Sequence, residues 1–170
     1  MNNTIIKRML ELKPEVKLWV EHNFGSCDKE DSILGVIEEL GELTHCILKR
    51  KQGIRETSAN IESLMDAVGD TLIYLITYDN STKGLLEHCE IEEGYQFENL
   101  VECILYAINN VNELNYSSEI INATALECII EAICNICELE EIDSIICLDS
   151  AWLNVKARDW KKYPTNGKTL

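Results

Sequence analysis

Residues 36–43 read VIEELGEL, and this short stretch decides both the fold and the candidate site of the chain. Its apolar residues recur every three or four positions, which predicts an α-helix with one buried face. The same turns carry Glu38, Glu39 and Glu42. Like charges three and four positions apart on a helix repel each other by about 0.2–0.5 kcal/mol per pair, and by more when they are buried. A helix built this way needs a counter-charge, and a divalent cation is the simplest one.

A second stretch, LMDAVGDTL at residues 64–72, repeats the acidic spacing of the first. In both, two acids stand four positions apart on one helix face, and a glycine between them lets another backbone approach closely. The two matching patterns are Glu38-x-x-Gly41-Glu42 and Asp66-x-x-Gly69-Asp70. If the connection at residues 51–59 folds the two helices antiparallel, these four acids and Glu39 converge.

Such a cluster of acids suits a metal ion. Five carboxylates cannot all stay ionised without a counter-charge, and oxygen ligands alone suit Mg²⁺ or Mn²⁺ rather than zinc. The alternative is an ordinary solvated acidic face. The sequence LMDAVGDTLIYLITY is apolar nearly all round, however, and leaves Asp66 and Asp70 little solvated face to occupy. Because buried acids are normally paired or bound to metal, the pattern favours a metal site.

The composition limits the fold class, the partners and the cellular location that we expect for this protein. The 170-residue chain is 46% hydrophobic and 26% charged, which is typical of one globular domain covering residues 1–170. Its 15 basic and 30 acidic residues give a formal net charge of −15, so we expect repulsion from nucleic acid and anionic membranes. The N-terminal residues lack a signal-peptide run, and no stretch reads as the roughly 18 apolar residues of a membrane span. These features predict a cytoplasmic protein that binds neither nucleic acid nor membrane.

Helical periodicity runs through most of the chain, and no alternating strand pattern with a hairpin turn interrupts it. The sequence predicts an all-α helical bundle of two antiparallel hairpins. The helices are expected at about residues 3–12, 14–23, 31–52, 58–79, 96–115, 118–140 and 144–161. The turn-rich residues 81–95 are expected to connect the two hairpins.

Two motifs are typical of other metal chemistry. Cys134-Asn-Ile-Cys137 is a CxxC, but no second pair of cysteines or histidines follows at zinc spacing, which favours core packing. Glu42-Leu-Thr-His45 is an ExxH, which di-iron helical bundles use twice. The chain has no second ExxH, so we expect His45 on the helix surface or behind the metal ligands.

The motifs IEELGEL and DAVGDTLIYL resemble the EExxE and ExxD helices of the all-α nucleoside triphosphate pyrophosphatases, the MazG-like family. The segment LWVEHNFG resembles the W…NF segment of phage and bacterial members, and CLDSAWLNVKARDWKKYPTNG resembles their C-terminal basic helix. The resemblance covers residues 16–80 and 146–167, and it extends to members of the dATP and dGTP pyrophosphohydrolase type. It implies the MazG-like fold and Mg²⁺-dependent hydrolysis of nucleoside triphosphates, purine deoxynucleotides among them, to monophosphate and pyrophosphate.

By position, the resemblance implies that the metal ligands include Glu39, Glu42 and Asp70. Ala67 stands where the family has the glutamate of ExxD, and Asp66, one residue earlier, is expected to replace it as a ligand. Glu38 matches the leading glutamate of EExxE and is the expected general base, although the roles of Glu38 and Glu39 are interchangeable at this point.

Binding of a nucleotide requires basic side chains that contact the phosphates and aromatic or apolar side chains that contact the base. The expected phosphate contacts are Lys156, Arg158 and Lys161, since a guanidinium suits bidentate contact with phosphate. A second basic cluster, Lys49, Arg50, Lys51 and Arg55, is typical of a helix end favoured by the helix dipole. The candidates for a base pocket are Trp19, Phe24 and Trp160, with core packing as the alternative. The resemblance adds Tyr74 as a nucleotide contact.

Two other functions stay open. One is a related helical hydrolase that acts on phosphoribosyl-ATP or an alarmone. The other is a non-catalytic acidic helical protein that binds a partner, for which the departure at Ala67 is the best argument. The resemblance also implies a homodimer or homotetramer, and the apolar helices between residues 96 and 140 provide surface for one.

Overall fold

Six α-helices and two short 3₁₀ helices form the fold in the computed structural model, which describes residues 2–26, 28–54, 57–82, 84–91, 97–116 and 118–168. The α-helices are α1 (Asn2–Phe24), α2 (Lys29–Lys51), α3 (Thr57–Ser81), α4 (Leu100–Val111), α5 (Glu119–Leu139) and α6 (Ser144–Lys156). The 3₁₀ helices span Leu85–His88 and Asn112–Asn115. No strand occurs in these described ranges, so the all-α prediction is confirmed. Part of the expected connection, residues 83 and 92–95, and the expected helix start at residue 96 lie outside them.

The first helix, α1, runs without interruption past Pro14, whereas the sequence predicted two helices separated there. A proline inside a helix costs about 3 kcal/mol because it removes a hydrogen bond and crowds the preceding turn. One buried stripe nevertheless continues across it, formed by Ile5, Met9, Leu12, Val16 and Val20. Each fully buried aliphatic side chain contributes about 1.5–3 kcal/mol, so packing of the stripe outweighs the local cost. Pro14 itself lies on the exposed face.

The central helix of the bundle is α3, which packs against α1, α2 and α6. Its side chains are buried on nearly every side, among them Leu64, Val68, Leu72 and Leu75. A short connection joins α2 to α3, and the two pack along each other, so they form an antiparallel hairpin. In the same way α4 and α5 form a second hairpin, while α1 and α6 cover the other sides of α3.

The two glycines of the acidic patterns have different surroundings. A Cβ at Gly69 would lie 2.4 Å from the carbonyl oxygen of Cys147 and 2.5 Å from the Cβ of Ala151, so Gly69 lets α6 pack directly on α3. A Cβ at Gly41 would meet nothing within 4 Å. The expected close approach is therefore confirmed at Gly69 and wrong at Gly41, which lies on the exposed face of α2.

The last helix, α6, ends at Lys156, whereas the sequence predicted a helix to residue 161 and a basic helical segment to residue 167. Residues 157–168 instead form a series of turns. The backbone N–H of Trp160 donates to the side-chain oxygen of Asn23 on α1, at 2.7 Å. This bond holds the chain against α1 shortly after the helix has ended.

One helix in the described part of the chain, α5, is long and apolar enough by composition to cross a membrane. The sequence predicted no such stretch, because scattered glutamates interrupt the apolar run. The mean hydropathy of its most apolar window is nevertheless 1.6. Core helices share this composition, and 61% of the most apolar window of α5 is buried inside the protein.

Candidate active site

Five acids of α2 and α3 come close enough together to affect one another electrostatically. Glu39 is buried, with 8% of its surface exposed, and Asp70 is half-buried. The other three, Glu38, Glu42 and Asp66, are exposed. The α2–α3 hairpin brings them together because the helix faces that carry the two acidic patterns meet along its contact.

The buried Glu39 and the half-buried Asp70 have strongly raised pKa values. Burial raises the pKa of Glu39 to about 8, and the charges of its acidic neighbours, Asp70 first, add to the rise. Burial likewise raises the pKa of Asp70 to about 6, the charge of Asp66 adds to it, and the Arg158 guanidinium opposes it. Without a counter-ion, Glu39 is therefore the member of the cluster that retains its proton at neutral pH.

Glu39 and Asp70 line a cleft of about 340 Å³ that also involves α1 and the C-terminal turns. The guanidinium of Arg158 lies in the same cleft. Its aromatic lining consists of Trp19, Phe24, Tyr74 and Trp160. Apolar walls with a few convergent polar groups are typical of small-molecule sites.

The three exposed acids line two other surface pockets. Glu38 and Glu42 line one of about 460 Å³, together with the exposed His45. Asp66 lines another of about 420 Å³ between α3 and α6. The expected metal ligands and base thus line three different pockets rather than a single cavity.

The donor set fits a divalent cation in chemistry and in charge. All the donors are carboxylate oxygens, which Mg²⁺ prefers. Asp70 Oδ1 is buried and has no hydrogen-bond partner in the described part of the chain, a costly arrangement unless a cation or a proton compensates it. As they stand, however, no three Asp, Glu, His or Cys side chains among the described residues can hold one ion. A shared coordination sphere therefore requires the exposed side chains of Glu42 and Asp66 to rotate towards Asp70.

The position of Ala67 explains the departure from ExxD. Ala67 is 1% exposed and packs in the core, so a glutamate side chain there would be buried in this arrangement. Asp66 is exposed, and its charge raises the pKa of both Glu39 and Asp70. Asp66 is therefore the acid at this turn that can interact with the cluster.

No family model, curated protein or solved structure matches this chain. The resemblance to MazG-like pyrophosphatases rests on the acidic motifs and the flanking segments, and it stays a prediction.

The expected substrate contacts divide into two groups. Three line the cleft: Trp19, Tyr74 and Arg158. Lys156 and Lys161 are exposed and are not part of its lining. The structure thus brings one of the three expected cations to the buried acids.

Trp19 belongs to both the cleft and the core. Its ring stands edge-on to Phe24, with centroids 5.6 Å apart, and edge-on to the buried Trp152, at 6.3 Å. Its Nε1 donates to the backbone carbonyl oxygen of Arg158 at 3.0 Å. The base-pocket and core-packing interpretations of this residue are therefore compatible.

The contacts of the second basic cluster and of the CxxC indicate structural roles. Arg50 makes a two-point ion pair with Glu140 at the end of α5, with Nη2 2.6 Å from Oε1 and Nη1 bonded to Oε2. Arg55 lies outside the described residues. Cys134 and Cys137 are buried, and burial raises the pKa of Cys134 to about 12, which favours core packing over redox or metal chemistry.

Sequence reasoning missed three residues that shape the cleft. A Cβ at Gly35 would lie 2.2 Å from the Tyr74 ring, so this glycine makes room for that ring. A glycine in a helix interior costs about 1 kcal/mol relative to alanine. Its presence within the helical pattern of α2 was therefore the sequence signal that could have indicated a close contact there. Asn23 and Gly167 hold the C-terminal turns. Asn23 was quoted as part of LWVEHNFG and Gly167 as the end of CLDSAWLNVKARDWKKYPTNG, neither with a role of its own.

Proposed function

We propose that this protein hydrolyses nucleoside triphosphates, purine deoxynucleotides among them, to monophosphate and pyrophosphate in a Mg²⁺-dependent reaction. The observation that carries the proposal is the cleft in which the acids Glu39 and Asp70 lie with Arg158 among aromatic rings. A purely solvated acidic face does not account for a buried glutamate or for the unpartnered Asp70 Oδ1 in the described part of the chain.

The chemistry of the cleft matches the two ends of a nucleotide. Aromatic rings offer stacking surface to a base, worth about 1–3 kcal/mol per base. A planar guanidinium such as that of Arg158 donates two parallel hydrogen bonds to phosphate oxygens. With a net charge of −15, the chain attracts a triphosphate only where cations compensate its own acids.

The chain's own residues have distinct roles in the proposed reaction. Glu39, Glu42, Asp66 and Asp70 are the residues that would hold Mg²⁺. When bound, the ion supplies neutralisation of charge on the phosphate oxygens and a lower pKa for a water molecule. Attack of water on the α-phosphorus otherwise needs mainly in-line positioning, and the contribution of Arg158 is to bind phosphate oxygens of the nucleotide. Glu38, exposed beside Glu39, accepts the proton of the attacking water.

The MazG-like fold and a homodimeric or homotetrameric assembly are parts of the same proposal. Support for assembly comes from α4, where Val101, Leu105 and Ile108 form an exposed apolar stripe. A cytoplasmic location and the lack of nucleic-acid and membrane partners stay predictions from charge and composition.

The direct test is incubation of the purified protein with Mg²⁺ and each common ribo- and deoxynucleoside triphosphate, with products separated by ion exchange. We expect monophosphate and pyrophosphate from a subset of the nucleotides, and at least about a hundredfold loss of rate in Asp70→Asn. The matched control is Asp149→Asn, because Asp149 pairs with Arg8 at 2.8 Å outside the cleft. Absence of turnover with Mg²⁺ and Mn²⁺ would contradict the proposal.

A non-catalytic acidic binding protein is the second candidate, favoured by the missing three-donor group among the described residues and by Ala67. A Mg²⁺ titration of thermal stability separates the two. The proposed site predicts a saturable rise in melting temperature that Asp70→Asn removes and Asp149→Asn keeps. The absence of a saturable, Asp70-dependent shift with Mg²⁺ would favour the second candidate.

A further inference from the structure

Hydrogen bonds that centre on Asn23 fasten residues 157–168, here named the C-terminal turn segment, to α1. The Trp160 backbone N–H donates to Asn23 Oδ1 at 2.7 Å, and Asn23 Nδ2 donates to the Trp19 carbonyl oxygen at 2.9 Å. Trp19 Nε1 in turn donates to the Arg158 carbonyl oxygen at 3.0 Å. Two residues of α1 thus hold two successive parts of the C-terminal turn segment.

Asn23 is well suited to this contact. It is 7% exposed, and it uses both its amide donor and its amide acceptor. Because Nδ2 is committed to the Trp19 carbonyl, Oδ1 faces the Trp160 N–H. Alanine would lose both bonds and leave the Trp160 N–H without this partner.

Gly167 supports the same residues from within the C-terminal turn segment. Its φ is +70°, and a Cβ there would lie 2.8 Å from the Cβ of Arg158 and 3.2 Å from Cε2 of Trp160. The Asp159 backbone N–H donates to the Gly167 carbonyl oxygen at 2.7 Å. Arg158 and Trp160 are therefore held between α1 on one side and Gly167 on the other.

We propose that Asn23 is a positioning residue for nucleotide binding, acting through Arg158 and Trp160, which line the cleft together with Glu39 and Asp70. This inference rests on the proposed function and assigns to Asn23 a role separate from metal binding. The acids lie on α2 and α3 and receive none of the hydrogen bonds described for Asn23. Loss of Asn23 therefore loosens the walls that contact substrate and leaves the acids in place.

The test compares steady-state kinetics of Asn23→Ala and Asn135→Ala. Asn135 is a matched control because its Nδ2 donates to the carbonyl oxygen four residues earlier, Glu131, at 2.9 Å, as Asn23 does on α1. For Asn23→Ala we expect KM for the nucleotide to rise about tenfold while kcat stays within about twofold, the pattern of lost binding without lost chemistry. The Mg²⁺ affinity should match that of the unmodified protein, and Asn135→Ala should leave KM unchanged.

A second pair of variants keeps the test independent of the fold of Asn23→Ala. Gly167→Ala should raise KM in the same way, because its Cβ displaces Arg158 and Trp160. Gly53→Ala is the control, since Gly53 has a similar φ of +66° with nothing within 4 Å of a Cβ. The two alanines impose similar backbone strain and differ in what they contact.

The outcomes are distinguishable from failure of the proposed function. If the unmodified protein is active and KM in Asn23→Ala and Gly167→Ala stays within twofold of their controls, the inference is overturned. Hydrogen exchange gives a readout that needs no substrate: amides of the C-terminal turn segment should exchange faster in Asn23→Ala than in Asn135→Ala, with α3 unchanged. Equal exchange in the two variants would also overturn it, whereas an inactive unmodified protein contradicts the proposed function.

Discussion

At the scale of single residues, Glu39 carries most of the electrostatic strain of the site. It lies on the apolar stripe of α2, between Val36 and Leu43 and beside Leu40, so helical periodicity alone predicts its burial. Burial and four acidic neighbours raise its pKa to about 8. A buried carboxylate in such surroundings destabilises the fold whenever it is ionised, unless a cation compensates it.

The sign of the pH dependence follows from that shift. The pKa of Glu39 is raised in the folded state from its ordinary value of 4.5 to about 8, so the folded protein is favoured at low pH and loses stability as pH rises from about 4.5 through about 8. Glu39→Gln removes the titration. In the presence of EDTA, we expect it to raise the free energy of unfolding at pH 8.5 by at least about 1 kcal/mol, or about 2–4 °C in melting temperature.

Thermal melts from pH 5 to 9 check this. The advantage of Glu39→Gln over the unmodified protein should grow with pH, and Glu38→Gln, which removes an exposed charge one position away, should give a smaller effect. A Glu39→Gln protein that is less stable than the unmodified protein at pH 8.5 would contradict this account of the cluster.

At the level of helices, the two acidic patterns have the same spacing, but their glycines have different packing surroundings. Both acidic patterns contain a glycine at the same offset, but only Gly69 meets another helix in the structure. Spacing within a pattern predicts which side chains share a face. It does not predict which face the neighbouring helix covers, because that depends on α6, which is distant in sequence.

Gly69→Ala and Gly41→Ala are therefore expected to change stability in opposite directions. The Cβ at residue 69 must displace the Cys147 carbonyl, and such overpacking costs about 1–3 kcal/mol. At residue 41 a Cβ meets open space, and alanine in a helix interior is favoured by about 0.5–1 kcal/mol. Denaturant unfolding of both variants measures this, and equal signs would be inconsistent with the α3–α6 contact described.

The course of α1 gives another prediction. Pro14 is tolerated because the buried stripe continues on both sides of it. Pro14→Ala should restore a backbone donor to the helix, while the unfolded chain gains conformational freedom that offsets part of this benefit. We expect a net stabilisation of about 1–2 kcal/mol. Lys17→Ala, an exposed change one turn away, should stay within about 0.5 kcal/mol. A lower melting temperature for Pro14→Ala would show that α1 needs the proline.

Much of the helical content was predictable because the 3.6-residue period is local. The length of α1 was not, because the local cost of Pro14 is opposed by tertiary packing. Nor was the end of α6, since the turns that follow it are held by a bond from Trp160 to Asn23, 137 positions away. The acids of the site were identified from their type and spacing, whereas the contributions of Asn23 and Gly167 depend on contacts that no local pattern carries.

At the scale of the whole molecule, the candidate site is assembled from both ends of the chain and its acidic hairpin. The hairpin supplies Glu39 and Asp70, while α1 and the C-terminal turn segment supply the aromatic rings of Trp19 and Trp160 and the guanidinium of Arg158. A chain with 30 acidic and 15 basic residues thus brings one of its cations to its most perturbed acids. The central claim is that this assembly directs water to the α-phosphorus of a nucleoside triphosphate.

Hydrolysis with Mg²⁺ in water enriched in a heavy oxygen isotope, followed by mass spectrometry of the products, locates the phosphorus that water attacks. We expect monophosphate and pyrophosphate at equal rates, with the heavy oxygen in the monophosphate and none in the pyrophosphate. Label in pyrophosphate, release of diphosphate and inorganic phosphate, or no turnover at all would contradict the central claim.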